Sequence, residues 1–450
     1  MRPDLAARYA DERLPRYTSY PTAPHFTPAV GPLAYGQWLA AVPADALASL
    51  YLHIPFCRRM CWYCGCNTSV TSRHHPVTEY LAALDAEIGM VADHLPGRLA
   101  VNHVHFGGGT PTIVLPDELL GLMTRLRTIF DIRPGAEIAI EIDPRVLTAG
   151  MVEVLGEAGF TRASLGVQSL DPAVQAAISR RQSFDETADA VARLRAVGVE
   201  GLNLDLIYGL PHQTVESCLD TVRSCLALRP DRFSVFGYAH VPSFKRHQRK
   251  IDASALPDGA ARNAQADAIA AAIEAAGYMR IGLDHFALPG DAMAAATVSG
   301  ALHRNFQGYT TDAADLLIGL GASAIGRLPQ GYVQNAAVTR DYRAAIERGG
   351  LATARGFALG ADDRLRADLI ERLMCDYRVD LADICRRHSA DVEALADAFP
   401  VLDRLAADGV LRRNGAVVEM ADDARTLVRV AAAAFDAYRG GATAVHSRAV

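Results

Sequence analysis

From Leu50 onward the chain alternates short apolar or β-branched runs with longer amphipathic stretches. Leu50–Ile54, His103–Phe106, Glu137–Ile142, Arg162–Gly166, Gly201–Tyr208 and Arg232–Tyr238 read as strands, each bounded by turn residues or charge. Val77–His94, Asp117–Phe130, Thr148–Ala158, Phe184–Val197 and Val215–Leu228 fill the gaps between them and carry apolar residues at helical spacing. This alternation predicts βα units around a parallel sheet. Periodicity alone leaves open whether the sheet is a partial barrel, a complete barrel or an open doubly wound sheet.

Beyond these units Asp258–Ala276 is Ala-rich and helical, and Asp312–Arg327 is Gly-rich and apolar. Gly349 and Gly350, followed by Gly356 and Gly360, mark an expected boundary. After it come the helical stretches Asp363–Tyr377 and Ala390–Asp408. A hairpin follows, signalled by Asn414-Gly415 between Val410–Arg413 and Ala416–Met420. Helices plus a hairpin resemble a winged helix, but the acidic stretch Glu419–Asp423 argues against DNA contact, so a lid or packing domain is expected.

Composition narrows the class. With 450 residues, half of them apolar, the chain can bury a large core in two or three domains. Met1–Arg16 is polar and charged rather than signal-like, and no run of about 18 apolar residues is present, so a cytoplasmic protein without a membrane span is expected. A net charge of −6 supplies no general field for nucleic acid. Any anionic substrate must be met by local cations.

Eight cysteines do not form a secreted disulfide pattern: four cluster at Cys57, Cys61, Cys64 and Cys66, and the rest scatter. The spacing Cys57-x3-Cys61-x2-Cys64, just after the first predicted strand, suits three irons of a [4Fe-4S] cluster and leaves the fourth iron open. A structural zinc site completed by Cys66 is the competing reading, weakened because such sites usually pair two distant knuckles. Several polar residues fall at strand ends, where parallel barrels place their chemistry. Gly107-Gly108-Gly109-Thr110 follows the second strand, Glu141 and Asp143 end the third, Gln168 follows the fourth, and Asp205 lies within the apolar fifth. A carboxylate in a buried strand needs a partner or a polar site.

The cysteine spacing, with Tyr63 before the last cysteine, resembles the signature of the radical S-adenosylmethionine (SAM) superfamily. More of the chain is similar to the oxygen-independent coproporphyrinogen III oxidases within it. The matching stretches are Pro15–Thr22, Tyr51–Cys57, Cys64–Asn67, Gly282–Ala287 and Leu302–Thr311. The resemblance implies an α/β fold: a partial (β/α)6 radical-SAM barrel with an N-terminal extension and a mainly helical C-terminal domain. The expected divisions are a substrate-covering segment at 1–45, the barrel at 46–355 and the C-terminal domain at 356–450.

It also implies a reaction in haem biosynthesis: two oxidative decarboxylations turn two propionates of coproporphyrinogen III into the vinyls of protoporphyrinogen IX. The 5'-deoxyadenosyl radical takes a propionate β-hydrogen, and the substrate radical then loses CO2 and one electron. By the same resemblance Cys57, Cys61 and Cys64 hold the cluster, with SAM on the free iron and a second SAM beside it. Tyr51, Tyr63, Gly108, Gly109, Thr110, Glu141, Gln168, Arg180, Asp205, Ala239 and Ile325 match positions lining the two SAM sites. Tyr51, Glu141, Gln307 and Ile325 are the implied catalytic set, with Gln307 near the second SAM or the substrate. Where Tyr63 stands the family commonly has phenylalanine. Cys66 is a family feature outside the ligand set.

Arg16, His303 and Arg304 are candidate partners for the substrate's carboxylates. The expected partners are coproporphyrinogen III, an unidentified electron donor and an unidentified electron acceptor, with no nucleic acid, no membrane and a monomeric chain. A haem-binding chaperone of the same superfamily is the alternative. Against it stand Arg16–Thr22, which such relatives typically lack, and Cys66, where they carry phenylalanine. A radical-SAM enzyme that methylates or opens haem is a third reading, separable by turnover.

Overall fold

The computed structural model describes residues 5, 8, 9 and 12–439. Positions 1–4, 6–7, 10–11 and 440–450, which belong to the expected N-terminal segment and C-terminal domain, lie outside the described residues. Six strands run parallel in chain order: β1 (Leu47–Ile54), β2 (Ala100–Gly108), β3 (Asp131–Ile142), β4 (Arg162–Gln168), β5 (Gly201–Tyr208) and β6 (Arg232–Gly237). All six coincide with the expected runs, and most extend further at their ends. The connecting helices are α1 (His75–His94), α2 (Pro116–Ile129), α3 (Ala149–Glu157), α4 (Phe184–Ala196) and α5 (Val215–Ala227). Their starts are chemically marked. Thr148, Ser183 and Thr214 each accept a backbone N–H from the first turn of α3, α4 and α5.

Sheet and helices form a partial barrel that is extended at both edges. Past β6 lie β7 (Met279–Ile281) and β8 (His285–Ala287), reached through α6 (Gly259–Ala275), with β8 antiparallel to β6. On the other side β1 pairs in parallel with β9 (Leu316–Leu320), followed by β10 (Ile325–Leu328), β11 (Gly331–Asn335) and β12 (Thr353–Ala358). The main sheet therefore continues through Gly356, one of the glycines expected to mark a domain boundary. A glycine is needed there for close approach. Gly356 exchanges backbone hydrogen bonds with Thr27, and a Cβ would collide with the Tyr332 carbonyl and lie 2.7 Å from Val30.

One apolar core fills the space between barrel and helices, with Leu50, Leu52, Phe106, Ile140, Leu165 and Leu204 at or below 1 % exposure. A second core lies elsewhere. There Leu5, Tyr9, Leu14, Tyr17 and Tyr20 pack against α7 (Ala361–Asp376) and the following helices and three-stranded sheet. Among the described residues no helix is long and apolar enough to cross a membrane.

Behind β1, Glu87 of α1 is 1 % exposed and accepts hydrogen bonds from Gly321 N (2.6 Å), Tyr342 Oη (2.7 Å) and Asn335 Nδ2 (2.5 Å). Burial raises its pKa to about 7, against the pull of those donors. The folded state thus holds a proton that the unfolded chain, titrating near pH ~4.3, releases. This group favours folding most below about pH 4, and its contribution declines as pH rises to about 7. Glu87→Gln is expected to shrink the difference in melting temperature between about pH 5 and about pH 8. An unchanged difference would refute the assignment.

Candidate active site

The cysteine loop starts where β1 stops. Phe56–Cys57 pairs in parallel with Ser69–Val70, so the chain closes on itself and presents Cys57, Cys61 and Cys64 from one loop. Polar hydrogens face each sulfur. The Thr68 hydroxyl (3.3 Å) and the Thr110 hydroxyl (3.4 Å) lie on Cys57 Sγ. Arg145 Nη2 (3.5 Å) and Arg180 Nη1 (3.6 Å) lie on Cys61 Sγ, and the Cys66 amide (3.4 Å) lies on Cys64 Sγ. The two guanidiniums share one carboxylate, Asp143, at 2.6 Å from Arg145 and 3.5 Å from Arg180. Burial would raise Asp143, but Arg145 and Arg180 outweigh it and hold the group below its ordinary value. One positive charge is left over beside Cys61.

This donor set fits a cluster bound through thiolates, since hydrogen bonds and positive charge stabilise anionic sulfur. Burial raises the Cys57 thiol, partly offset by Thr110 and Thr68. The neighbouring Cys64 and Cys66 shift in opposite directions: a hydrogen bond from Cys66 lowers the Cys64 thiol, and the same bond with the charge of Cys64 raises Cys66. All eight cysteines are free. Among the described residues no three His, Cys, Asp or Glu side chains converge on a point that would suit a single ion. A four-iron cluster requires no such convergence, because each thiolate takes a different iron.

Against this loop runs Gly107–Gly109, where side chains have no room. A Cβ on Gly107 would lie 2.9 Å from both Tyr51 Oη and Glu141 Oε1. The Gly108 amide donates to Glu141 Oε2 at 3.1 Å, and its φ of +122° suits glycine. A Cβ on Gly109 would collide with Thr68 and sit 2.6 Å from the Phe56 carbonyl oxygen, which is fixed backbone. Gly109→Ala is accordingly expected to cost about 1–3 kcal/mol and to lower iron bound per chain on reconstitution. A variant with wild-type melting temperature and full iron would contradict this packing.

Inside the barrel a cavity of about 200 Å³ brings together Glu141, Asp205, Gln307, His105 and His285. Asp205 accepts from Ser164 Oγ (2.9 Å) and Asn203 Nδ2 (2.8 Å). Burial pushes its carboxyl up to about 6, against the pull of Ser164 and with added repulsion from Glu141. Among the described residues the strand carboxylate is hydrogen-bonded by neutral groups and forms no ion pair, with His285 near enough to pull its pKa down. The Tyr51 hydroxyl donates to His53 Nδ1 (3.0 Å), and its ring stacks on His105.

The other expected residues surround this centre. Arg180, 6 % exposed, also donates to the Gly166 carbonyl at 2.6 Å. A Cβ on Gly166 would lie 2.8 Å from Gln168 Nε2 and 3.0 Å from Arg180 Nη2, so Gln168, with its positive φ of 69°, joins the same corner. Tyr63 packs with Trp62, Ile207 and Tyr238, and burial keeps its hydroxyl protonated. Gln248 Nε2 ties the loop to the end of β6, donating to the Tyr63 carbonyl (2.9 Å) and the Ala239 carbonyl (3.3 Å). Ile325 opens β10 and lines neither this cavity nor the larger one below; its backbone packs on Gly319, the β9 partner of Tyr51.

Beside Ala239 a cavity of about 490 Å³ is lined by Arg13, Arg16, Arg262, Arg280, Arg304 and Arg429. Its acidic lining is Asp258, Asp267 and Asp284. Burial would raise Asp284, but its His285 hydrogen bond and the charges of Arg304 and Arg16 hold it well below the carboxylate range. Burial and repulsion from Arg16 push Arg429 down to about 10. Among the described residues arginines outnumber carboxylates in this lining. Of the three expected carboxylate partners, Arg16 and Arg304 line this cavity, with Arg304 Nη2 donating to the Arg16 carbonyl at 3.2 Å. His303 instead pairs with Glu371 at 3.1 Å in a neighbouring pocket that Arg304 also touches. Sequence reading missed Arg13, Arg145, Arg262, Arg280 and Arg429. For Arg145 a signal existed, since Asp143-Pro144-Arg145 brings the two charges into one turn. The others are scattered arginines that only the fold assembles.

Comparison with known proteins adds four findings. The family model of the Radical SAM superfamily matches residues 51–225. The oxygen-independent coproporphyrinogen III oxidase of Bradyrhizobium diazoefficiens is 58 % identical over 450 residues, covering all of both chains. That of Paracoccus denitrificans is 44 % identical over 441 residues, 98 % of this chain and 97 % of the relative. The solved structure of coproporphyrinogen III oxidase from Escherichia coli, described as a radical SAM enzyme, superposes with a TM-score of 0.91. It shares 37 % identity and covers 95 % of this chain and 100 % of the other.

Proposed function

Since the chain belongs to the oxygen-independent coproporphyrinogen III oxidases of the radical SAM superfamily, we infer that it decarboxylates two propionates of coproporphyrinogen III oxidatively to give protoporphyrinogen IX. The observation that carries the substrate reading is the arginine-lined cavity of about 490 Å³ beside Ala239. Coproporphyrinogen III brings four carboxylates, and arginine pairs carboxylates with two parallel hydrogen bonds. Gln248 bridges this cavity's edge to the cysteine loop, so a macrocycle anchored there lies near the thiols.

Family membership implies a [4Fe-4S] cluster and SAM. Together, when bound, they supply a 5'-deoxyadenosyl radical that removes a propionate β-hydrogen. Cys57, Cys61 and Cys64 hold the cluster, and Arg145 and Arg180 balance its thiolate charge beside Cys61. The backbone of Gly108 and Gly109, with Thr110, gives the methionine amine a surface free of side chains. Tyr51, Tyr63, Glu141, Gln168, Arg180, Asp205, Ala239 and Ile325 complete two SAM positions. Gln307 shares the cavity of Glu141 and Asp205 and faces the second SAM or the substrate. The one electron left by each decarboxylation passes to an external acceptor. We further infer a monomeric cytoplasmic enzyme whose N-terminal segment, barrel and C-terminal domain together enclose the substrate.

Anaerobic reconstitution with iron and sulfide, then SAM, a reductant and coproporphyrinogen III, tests this reading. Protoporphyrinogen IX with 5'-deoxyadenosine is the expected result. No product from a protein with an intact cluster and tight haem binding would favour a haem chaperone.

A further inference from the structure

After β6 comes the densest run of positive charge in the chain, and it lies on the cysteine loop. Lys245, Arg246, Arg249 and Lys250 fall within six residues, in a chain with 45 Lys and Arg among 450, and no acidic residue stands between Asp231 and Asp252. Three hydrogen bonds pin the run to successive parts of the loop. Lys245 Nζ donates to the Cys66 carbonyl (2.9 Å), His247 Nε2 to the Cys64 carbonyl (2.7 Å) and the buried Gln248 to the Tyr63 carbonyl (2.9 Å). The Lys250 ammonium stands 5.6 Å from the Trp62 ring centroid. The outer face is open: Arg246, Arg249 and Lys250 are exposed, and Phe244 is 65 % exposed. None of the four Lys and Arg side chains forms an ion pair among the described residues. Unpaired surface cations next to a cluster site, on a chain of net charge −6, make a local field that selects an anionic partner.

We propose that the face formed by Phe244–Lys250 is the docking surface for an acidic one-electron carrier protein that reduces the cluster. This rests on the assignment of the cluster to Cys57, Cys61 and Cys64. One electron leaves the reduced flavin or iron-sulfur centre of the carrier and enters the cluster; the carrier is oxidised by one electron, and no bond forms or breaks. The segment is bonded to the loop itself, so only this short segment and the loop backbone lie between a seated partner and the thiols. Phe244 supplies an apolar anchor and the cations a steering rim. Electron-transfer encounters use small interfaces, under about 1,200 Å², which a short segment and its neighbours can provide.

The test uses reconstituted holoenzyme with two purified probes, an acidic flavodoxin and an acidic [2Fe-2S] ferredoxin. Wild-type enzyme is expected to bind at least one of them at low ionic strength and to lose the interaction at about 0.5 M salt. Arg246→Glu combined with Lys250→Glu is expected to weaken that binding by tenfold or more and to slow cluster reduction by the carrier in stopped flow. Reduction by dithionite, and the 5'-deoxyadenosine it supports, stay at wild-type levels. Iron analysis identifies a variant that has lost its cluster, and Arg246→Gln with Lys250→Gln then replaces it in the same measurements. Salt-insensitive or absent binding of both carriers to wild type overturns the proposal. So does unchanged affinity or reduction rate in the variants, or stronger salt-dependent binding of a single-stranded RNA than of either carrier. Failure of the cluster assignment would show differently, as wild-type protein that takes up no iron.

Discussion

Cys61→Ser is expected to give a folded protein with no four-iron cluster and no turnover. Cys61 is 7 % exposed, and its sulfur is the one faced by both Arg145 and Arg180. Serine is close in volume, so packing around the loop changes little. What disappears is a soft thiolate ligand, and the shorter, weakly acidic hydroxyl does not replace it. Iron per chain, the visible absorption of the cluster and protoporphyrinogen formation should all fall to background. The melting temperature of the protein without its cluster should stay close to that of wild type treated the same way. Retained turnover would refute the assignment of this loop to the cluster.

Arg304→Ala should raise the apparent KM for coproporphyrinogen III roughly tenfold to a hundredfold. A hydrogen bond to a charged group contributes about 1.5–3 kcal/mol, and each ~1.4 kcal/mol is a factor of ten. Arg304 is well placed for that role. It lines the cavity, its guanidinium stacks on Tyr309 at 4.3 Å, and Nη2 holds the Arg16 carbonyl, which fixes the side chain in place. Formation of 5'-deoxyadenosine without substrate should be unaffected, which separates substrate anchoring from damage to the cluster. Arg304→Lys keeps the charge but loses the planar fork and should recover only part of the affinity. Substrate kinetics unchanged in Arg304→Ala would remove the arginine cavity from the proposed substrate site.

Much of the barrel was readable because local signals and tertiary structure agree. Apolar runs such as Gly201–Tyr208 are buried parallel strands, and Thr148, Ser183 and Thr214 begin helices by their own hydrogen bonds. That Cys57, Cys61 and Cys64 share one loop was legible because only a few residues separate them in sequence. The main limit was long range. Gly356 reads as a boundary glycine until the pairing of Thr27 with it is seen, and both lie on one sheet edge only through the fold. Six arginines spread from Arg13 to Arg429 carry no local pattern, yet they converge on one cavity. His303 shows the converse. It adjoins Arg304 in sequence, but strand alternation sends its ring to Glu371.

The second core joins segments that lie far apart in the chain. Leu5, Leu14, Tyr17 and Tyr20 find their apolar partners from Leu365 onward, and Arg429 donates to the Leu14 carbonyl at 3.2 Å. Such contacts have extreme sequence separation, and they form late because the closing loop must be ordered first. A ribosome releases the chain from its N-terminus, so the barrel strands and the cysteine loop emerge while the residues that clasp the N-terminal segment are still unmade. Throughout that interval Leu5, Leu14, Tyr17 and Tyr20 lack the apolar surface they pack against in the finished fold. Closure of this core therefore waits until the segment from Leu365 onward has been made, long after the first barrel strands and their loops.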